Sequence, residues 1–174
     1  MISIQQNAYT LSISTFAHVI PSEQLVHIGD MTVSFAHLEF QMKTIFVVLV
    51  NQSARIGNIL GSYLSFRNLR AALGSLYRER FGEDTLYMAL KELLAEAGRL
   101  EEERNQITHS LWIAGETPST ITRHKVTAYG KAGFKPEFKQ YSQGDLSDLV
   151  QRIQDLGGRF VDFYHKLPDN IPSA

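Results

Sequence analysis

The chain has 174 residues, 44% hydrophobic and 20% charged, with a net charge of −1. That is enough for one domain with a real core, and it gives no global attraction to nucleic acid or membrane, so any RNA contact must come from a local patch. There is no cysteine, which excludes disulfides, thiolate catalysis and thiolate metal sites.

Residues 1–20 have no basic stretch and no long apolar run, so they do not read as a secretory signal. Ile2 and Ile4, then Leu11 and Ile13, alternate with polar neighbours. The segment reads as a short strand, or as an arm lying over the body or a partner. Pro21 and Ser22 mark a stop and a cap, with Ser22 as N-cap. A long helix is predicted from Ser22 to Val50, because Leu25, Ile28, Met31, Phe35, Leu38, Met42, Ile45 and Leu49 recur at steps of three and four. The apolar run from Ile45 to Val50 falls short of the roughly 20 residues needed to span a bilayer. A cytoplasmic protein without a membrane partner is expected.

Residues 51–64 read as a turn with one short helix. A second helix is predicted over Ser65–Phe81, closed by Gly82. Asp84 is the predicted N-cap of a third, running from Thr85 to Trp112 and nearly as long as the first. Its apolar stripe runs Leu86, Leu90, Leu93, Ala97, Leu100, Ile107, Leu111. Arg104 takes the missing place. A charge on a packed face costs several kcal/mol unless it is paired. Its partner is sought in Glu101, in a phosphate or second subunit, or in Glu39, which lies one turn beyond Phe35.

Asn105 and His109 lie four apart and so stack on one helix face. Arg104 is five residues before His109, about 140° away around the helix, and is long enough to reach round. The group offers a permanent cation, an amide and an imidazole, whose ordinary titration lies near neutrality. Such a set suits metal-independent RNA cleavage, in which the 2′-hydroxyl is the nucleophile and the protein supplies acid–base and charge stabilisation. The same residues also admit a structural reading: a histidine favoured at a helix C-terminus, with Asn105 as its hydrogen-bond partner.

This Arg-polar-x3-His spacing late in a long helix, followed by Ser110-Leu111-Trp112, resembles the motif of the HEPN superfamily (higher eukaryotes and prokaryotes nucleotide-binding). The resemblance implies an antiparallel helical bundle of about four main helices. It also implies a homodimer whose two motifs share one cleft, with Arg104, Asn105 and His109 catalytic and RNA as substrate. Products would be a 2′,3′-cyclic phosphate and a 5′-hydroxyl. Such enzymes occur in toxin–antitoxin and phage-defence systems, so an antitoxin protein is an implied partner. Some carry a tyrosine two residues after the histidine as a modification target. Leu111 stands there in this chain, so the resemblance does not carry that form of control over.

From Thr120 to Tyr129 the sequence alternates, breaks at 130–133, and returns over Phe134–Tyr141, a β-hairpin at about 119–143 inserted before the last helix. Arg123, Lys125, Lys131, Lys135 and Lys139 outnumber Glu137 there. One reading is phosphate contact, with Arg123, Lys125 and Lys131 as substrate-binding residues and Trp112 available to stack a base. The other is a solvated hairpin whose lysines guard its edges, with Trp112 as packing. The last helix is predicted over Asp145–His165, where Gly157-Gly158 either weakens it or marks a close helix contact. A loose tail follows over 168–174.

The histidines show no metal-ligand spacing, and neither a phosphate loop nor a serine nucleophile elbow occurs. No metal or cofactor is expected. The fold expectation is a mainly all-α HEPN-like domain over 21–167, and the functional expectation is a metal-independent endoribonuclease. The alternative is a non-catalytic dimeric binding or regulatory module for a nucleotide, nucleic acid or protein. The mannitol operon repressor family, similar in outline, shows such a role for a helical domain.

Overall fold

The computed structural model describes residues 20–129, 133–168 and 171, with the backbone alone for 126–129 and 133–135. The expected arm over 1–20 therefore lies outside the described residues but for Ile20, as does most of the tail. Of that tail, Ile171 accepts a hydrogen bond from Asn51 Nδ2 at 3.3 Å.

The chain is mainly helical with a small antiparallel sheet. In order, the elements are α1 (Ser22–Val50), α2 (Ala54–Ser62), α3 (Phe66–Phe81), α4 (Thr85–Thr108), β1 (Leu111–Ala114), β2 (Thr120–Tyr129), β3 (Gly133–Ser142) and α5 (Gln143–Tyr164). α1 is central and packs against every other helix, most extensively α5 and α3. Its inward stripe, Met31, Phe35, Leu38, Met42, Ile45 and Leu49, is almost wholly removed from solvent. By length and composition α1 would also pass as a membrane span, but that face is the core of the bundle.

The caps explain most boundaries. Ser65 accepts from Asn68 N, and Asp84 accepts from Tyr87 N at 2.7 Å. Gly82, at φ 77, takes a conformation that side chains disfavour and so closes α3. Ser142 and Asp145 form a reciprocal capping box at the start of α5. At the start of α1 the expectation fails: Pro21 is the N-cap, without a side-chain bond, and Ser22 is already helical. The fixed φ of proline sets the chain direction there without help from the serine. Gly157 marks a close helix contact, since a Cβ there would stand 2.7 Å from Gln41 Oε1 of α1.

Two boundaries differ from the sequence reading for one reason. α4 ends at Thr108, not Trp112, and residues 111–114 become a strand. The hairpin is thus a three-stranded sheet, ordered β1-β2-β3. Leu111 pairs with His124 and Ala114 with Ile121. β-Pairing to a partner distant in sequence captures residues whose local pattern suits a helix.

Tyr77 is buried and donates to the Asp84 carboxylate at 3.1 Å. Burial first, then the bond to Asp84 and its charge, push the Tyr77 phenol up to about 12. A raised folded-state value adds stability below the unfolded pKa of about 10 and loses it as pH rises through the folded value. Denaturant midpoints measured across that alkaline window should fall in the wild type and fall less in Tyr77→Phe.

Candidate functional site

The last two turns of α4 carry the site. Arg104 is half-buried, with its guanidinium carbon 4.3 Å from the ring centroid of Phe35 on α1. Its Nη1 donates to Asn105 Oδ1 at 2.9 Å, while its buried Nε has no hydrogen-bond partner among the described residues. The cation is therefore met by an aromatic face and a neutral amide. Among the described residues no carboxylate pairs with it. Both expected partners are engaged elsewhere: Glu39 with Lys43 at 2.7 Å, and Glu101 with Arg70 at 3.3 Å. Glu39, proposed as the supporting residue, has no part in the site. The i,i+4 lysine on its own helix satisfies it more cheaply than a reach to α4 would.

His109 is the C-cap of α4, at φ −109 and ψ 22, and its N–H donates to Asn105 O at 3.2 Å. Its side chain is exposed. Beside it lies an open cleft of about 360 Å³, whose lining includes Glu101, Glu102, Asn105, His109 and Ser110 along α4 and its end, and Lys125 from β2. Glu101 is neutralised by Arg70. Among the described residues Glu102 has no ion-pair partner. Asn105, His109 and Lys125 thus line one cleft. Arg104 does not line the cleft. It sits behind Asn105 and fixes that amide.

Three further expectations meet the structure. Arg123, predicted to contact substrate, is 1% exposed. It forms an ion pair with Glu137 and donates to Gln106 Oε1 at 3.3 Å. This is a structural tie between sheet and α4, and Arg123 leaves the substrate group. Its position was readable from strand alternation: Ile121, two residues earlier on the same face, is fully buried. Trp112 is half-buried, donates its indole N–H to Ile107 O at 3.0 Å, and meets Tyr141 edge-on with centroids 5.5 Å apart. These contacts pack it into the helix-to-strand corner. Lys131 lies outside the described residues.

Sequence reasoning missed Arg70 and Glu102, and gave Glu101 only as a partner for Arg104. Arg70 donates to Leu94 O at 2.9 Å and holds Glu101 in place. Nothing in local spacing joins residue 70 to 101, so no sequence signal marked the pair. Glu102 stands seven residues before His109, two turns back along the same helix face, so its place beside the imidazole was readable from spacing. Among the described residues, no group of three His, Asp or Glu side chains is placed to hold a metal ion. Compared with known proteins, the chain matches no family model, no curated protein and no solved structure.

The separation of structural from cleft-lining cations is measurable. Glu137→Gln leaves a buried guanidinium without its counter-charge, and should cost about 2 kcal/mol. Lys125→Ala, on the cleft wall, should stay within about 0.5 kcal/mol of wild type. Urea unfolding of both variants checks the contrast.

Proposed function

We propose that the chain is a HEPN-like, metal-independent endoribonuclease acting as a homodimer, of the toxin or phage-defence kind. One observation carries the reading: an exposed imidazole, His109, shares a cleft with the cation Lys125 and the amide Asn105 at the end of a rigid helix. The backbone of an RNA strand presents a 2′-hydroxyl and a phosphodiester to such a cleft. One His109 imidazole takes the 2′-hydroxyl proton. The 2′-oxygen then bonds to phosphorus, the P–O5′ bond breaks, and the leaving 5′-oxygen takes a proton from the second protomer's imidazole. The products are a 2′,3′-cyclic phosphate and a 5′-hydroxyl end. Lys125 meets the charge that grows on the non-bridging oxygens. Arg104 is a positioning residue, acting through Asn105.

The second reading, a non-catalytic binding or regulatory module, is favoured by a specific feature: Arg104 does not line the cleft, so the one permanent cation of the motif stays out of reach of a ligand. The two readings agree on a phosphate-binding cleft and differ on turnover.

Incubation of a mixed RNA pool in EDTA separates them. The ribonuclease reading expects cleavage by wild type and a loss of about 10²-fold or more in His109→Ala. It expects Lys125→Ala to raise KM more than it lowers kcat. Glu102→Gln, which removes a negative charge from the cleft lining, should strengthen binding of a 2′-deoxy substrate analogue. A folded wild-type dimer that binds RNA and leaves it intact selects the binding module.

A further inference from the structure

α1 carries two apolar faces, and only one is used in the core. The second runs Val26, Gly29, Val33, Ala36 and Phe40, and continues one heptad later at Val47. At Val47 the stripe meets α2: a Cβ on Gly57 would stand 3.0 Å from Val47 Cγ1, so the helices touch backbone to side chain. Upstream, every member is exposed. Val26, Val33 and Phe40 are 59%, 57% and 70% exposed. Among the described residues nothing lies within 4 Å of where a Gly29 Cβ would be. Repeats of three and four over two heptads are the pattern of a helix–helix seam, not of scattered surface residues.

We propose that this stripe docks, antiparallel and about a twofold axis, on the same stripe of a second copy of the chain. The residues are self-complementary in that arrangement. With Phe40 of each copy opposite Gly29 of the other, Val33 faces Ala36, so each layer sets a larger side chain against a small one or none. On the flank, Asp30 of each copy lies beside His37 of the other, an acceptor meeting an N–H donor, twice over. Lys43, opposite Val26, covers it with its aliphatic stem. A parallel pairing would instead put Phe40 on Phe40 and Gly29 on Gly29, and would separate Asp30 from His37. A lipid surface fits less well, because between Ser22 and Gln41 there is no lysine or arginine, while Glu23 and Asp30 would face the headgroups. The proposal rests on α1 and not on the ribonuclease reading: Arg104 packs on Phe35, on the far side of α1 from this stripe, so this seam does not itself bring the two His109 side chains into one cleft.

The chain has no cysteine, so single cysteines report the geometry cleanly. The full-length variants Val26→Cys, Val33→Cys and Phe40→Cys are oxidised and run without reductant. At ~1.5 Å per residue, the antiparallel register offsets position 33 from its own copy by only ~5 Å, position 40 by ~16 Å and position 26 by ~25 Å. Val33→Cys should therefore form a covalent dimer, and the other two should not. Cross-linking at all three positions would mean a parallel pair and overturn the proposal. Analytical ultracentrifugation gives the second readout. Phe40→Asp, with unchanged circular dichroism, should weaken dimerisation at least about 30-fold, the loss typical of a central interface residue. A wild-type monomer, a dimer indifferent to Phe40→Asp, or wild-type protein that stays monomeric and pellets with anionic vesicles would each overturn it. A protein that cross-links as expected and cleaves no RNA would leave the interface standing and remove only the enzymatic reading.

Discussion

A guanidinium on the packed face of α4 is the constraint around which this end of the molecule is arranged. Arg104 interrupts a stripe of Leu100 and Ile107 that is otherwise buried. Removing such a charge from water costs several kcal/mol, and a carboxylate would be the usual answer. This chain supplies the ring of Phe35 at 4.3 Å and the amide oxygen of Asn105 at 2.9 Å. A cation over an aromatic face returns about 0.5–2 kcal/mol, and a charge-assisted hydrogen bond about as much. The remainder of the cost is met by half-exposure. The consequence is that Asn105 is committed to Arg104, and the cleft beyond receives a fixed amide in place of a mobile cation.

That commitment joins the fold to the proposed chemistry. α4 must stop where it does for His109 to project from its end. The stop is enforced by Trp112, whose indole bonds back to Ile107 O, and by pairing of β1 with β2. β2 in turn is fastened to α4 through Arg123, Gln106 and Glu137. This fastening brings Lys125, two residues beyond Arg123, to the cleft wall. The buried arginine of the sheet thus places the exposed lysine. A site built on a helix end and braced by a strand holds its geometry better than one on a loop.

Much of the helical frame was legible. α1 runs from Ser22 to Val50 as the three-four periodicity predicts, and Asp84 and Gly82 act as N-cap and C-terminal stop. These features depend on neighbours within four residues. What could not be read depends on partners far apart in the chain. Leu111 continues the helical step after Ile107, yet it is half exposed on a strand because His124 pairs with it. The lysine-rich hairpin invited a uniform basic reading, yet Arg123 and Lys125 share one face of β2, and it is Gln106 and Glu137 that cover Arg123 while Lys125 reaches the cleft. Glu39 and Glu101 were reasonable partners for Arg104 by spacing. Lys43 and Arg70 claimed them instead, the second across 31 residues.

The central claim is that Arg104, through Asn105, holds a phosphate-binding cleft around His109. The most direct measurement is an NMR titration of the imidazole signals with a 2′-deoxy dinucleotide that cannot be cleaved, the His109 resonance being assigned by its loss in His109→Gln. The account predicts a saturable shift of the His109 signal that weakens strongly in Asn105→Ala and in Lys125→Ala, while the signals of His37 and His165 stay in place. A His109 signal that does not move, or one that moves equally in all three proteins, would contradict it.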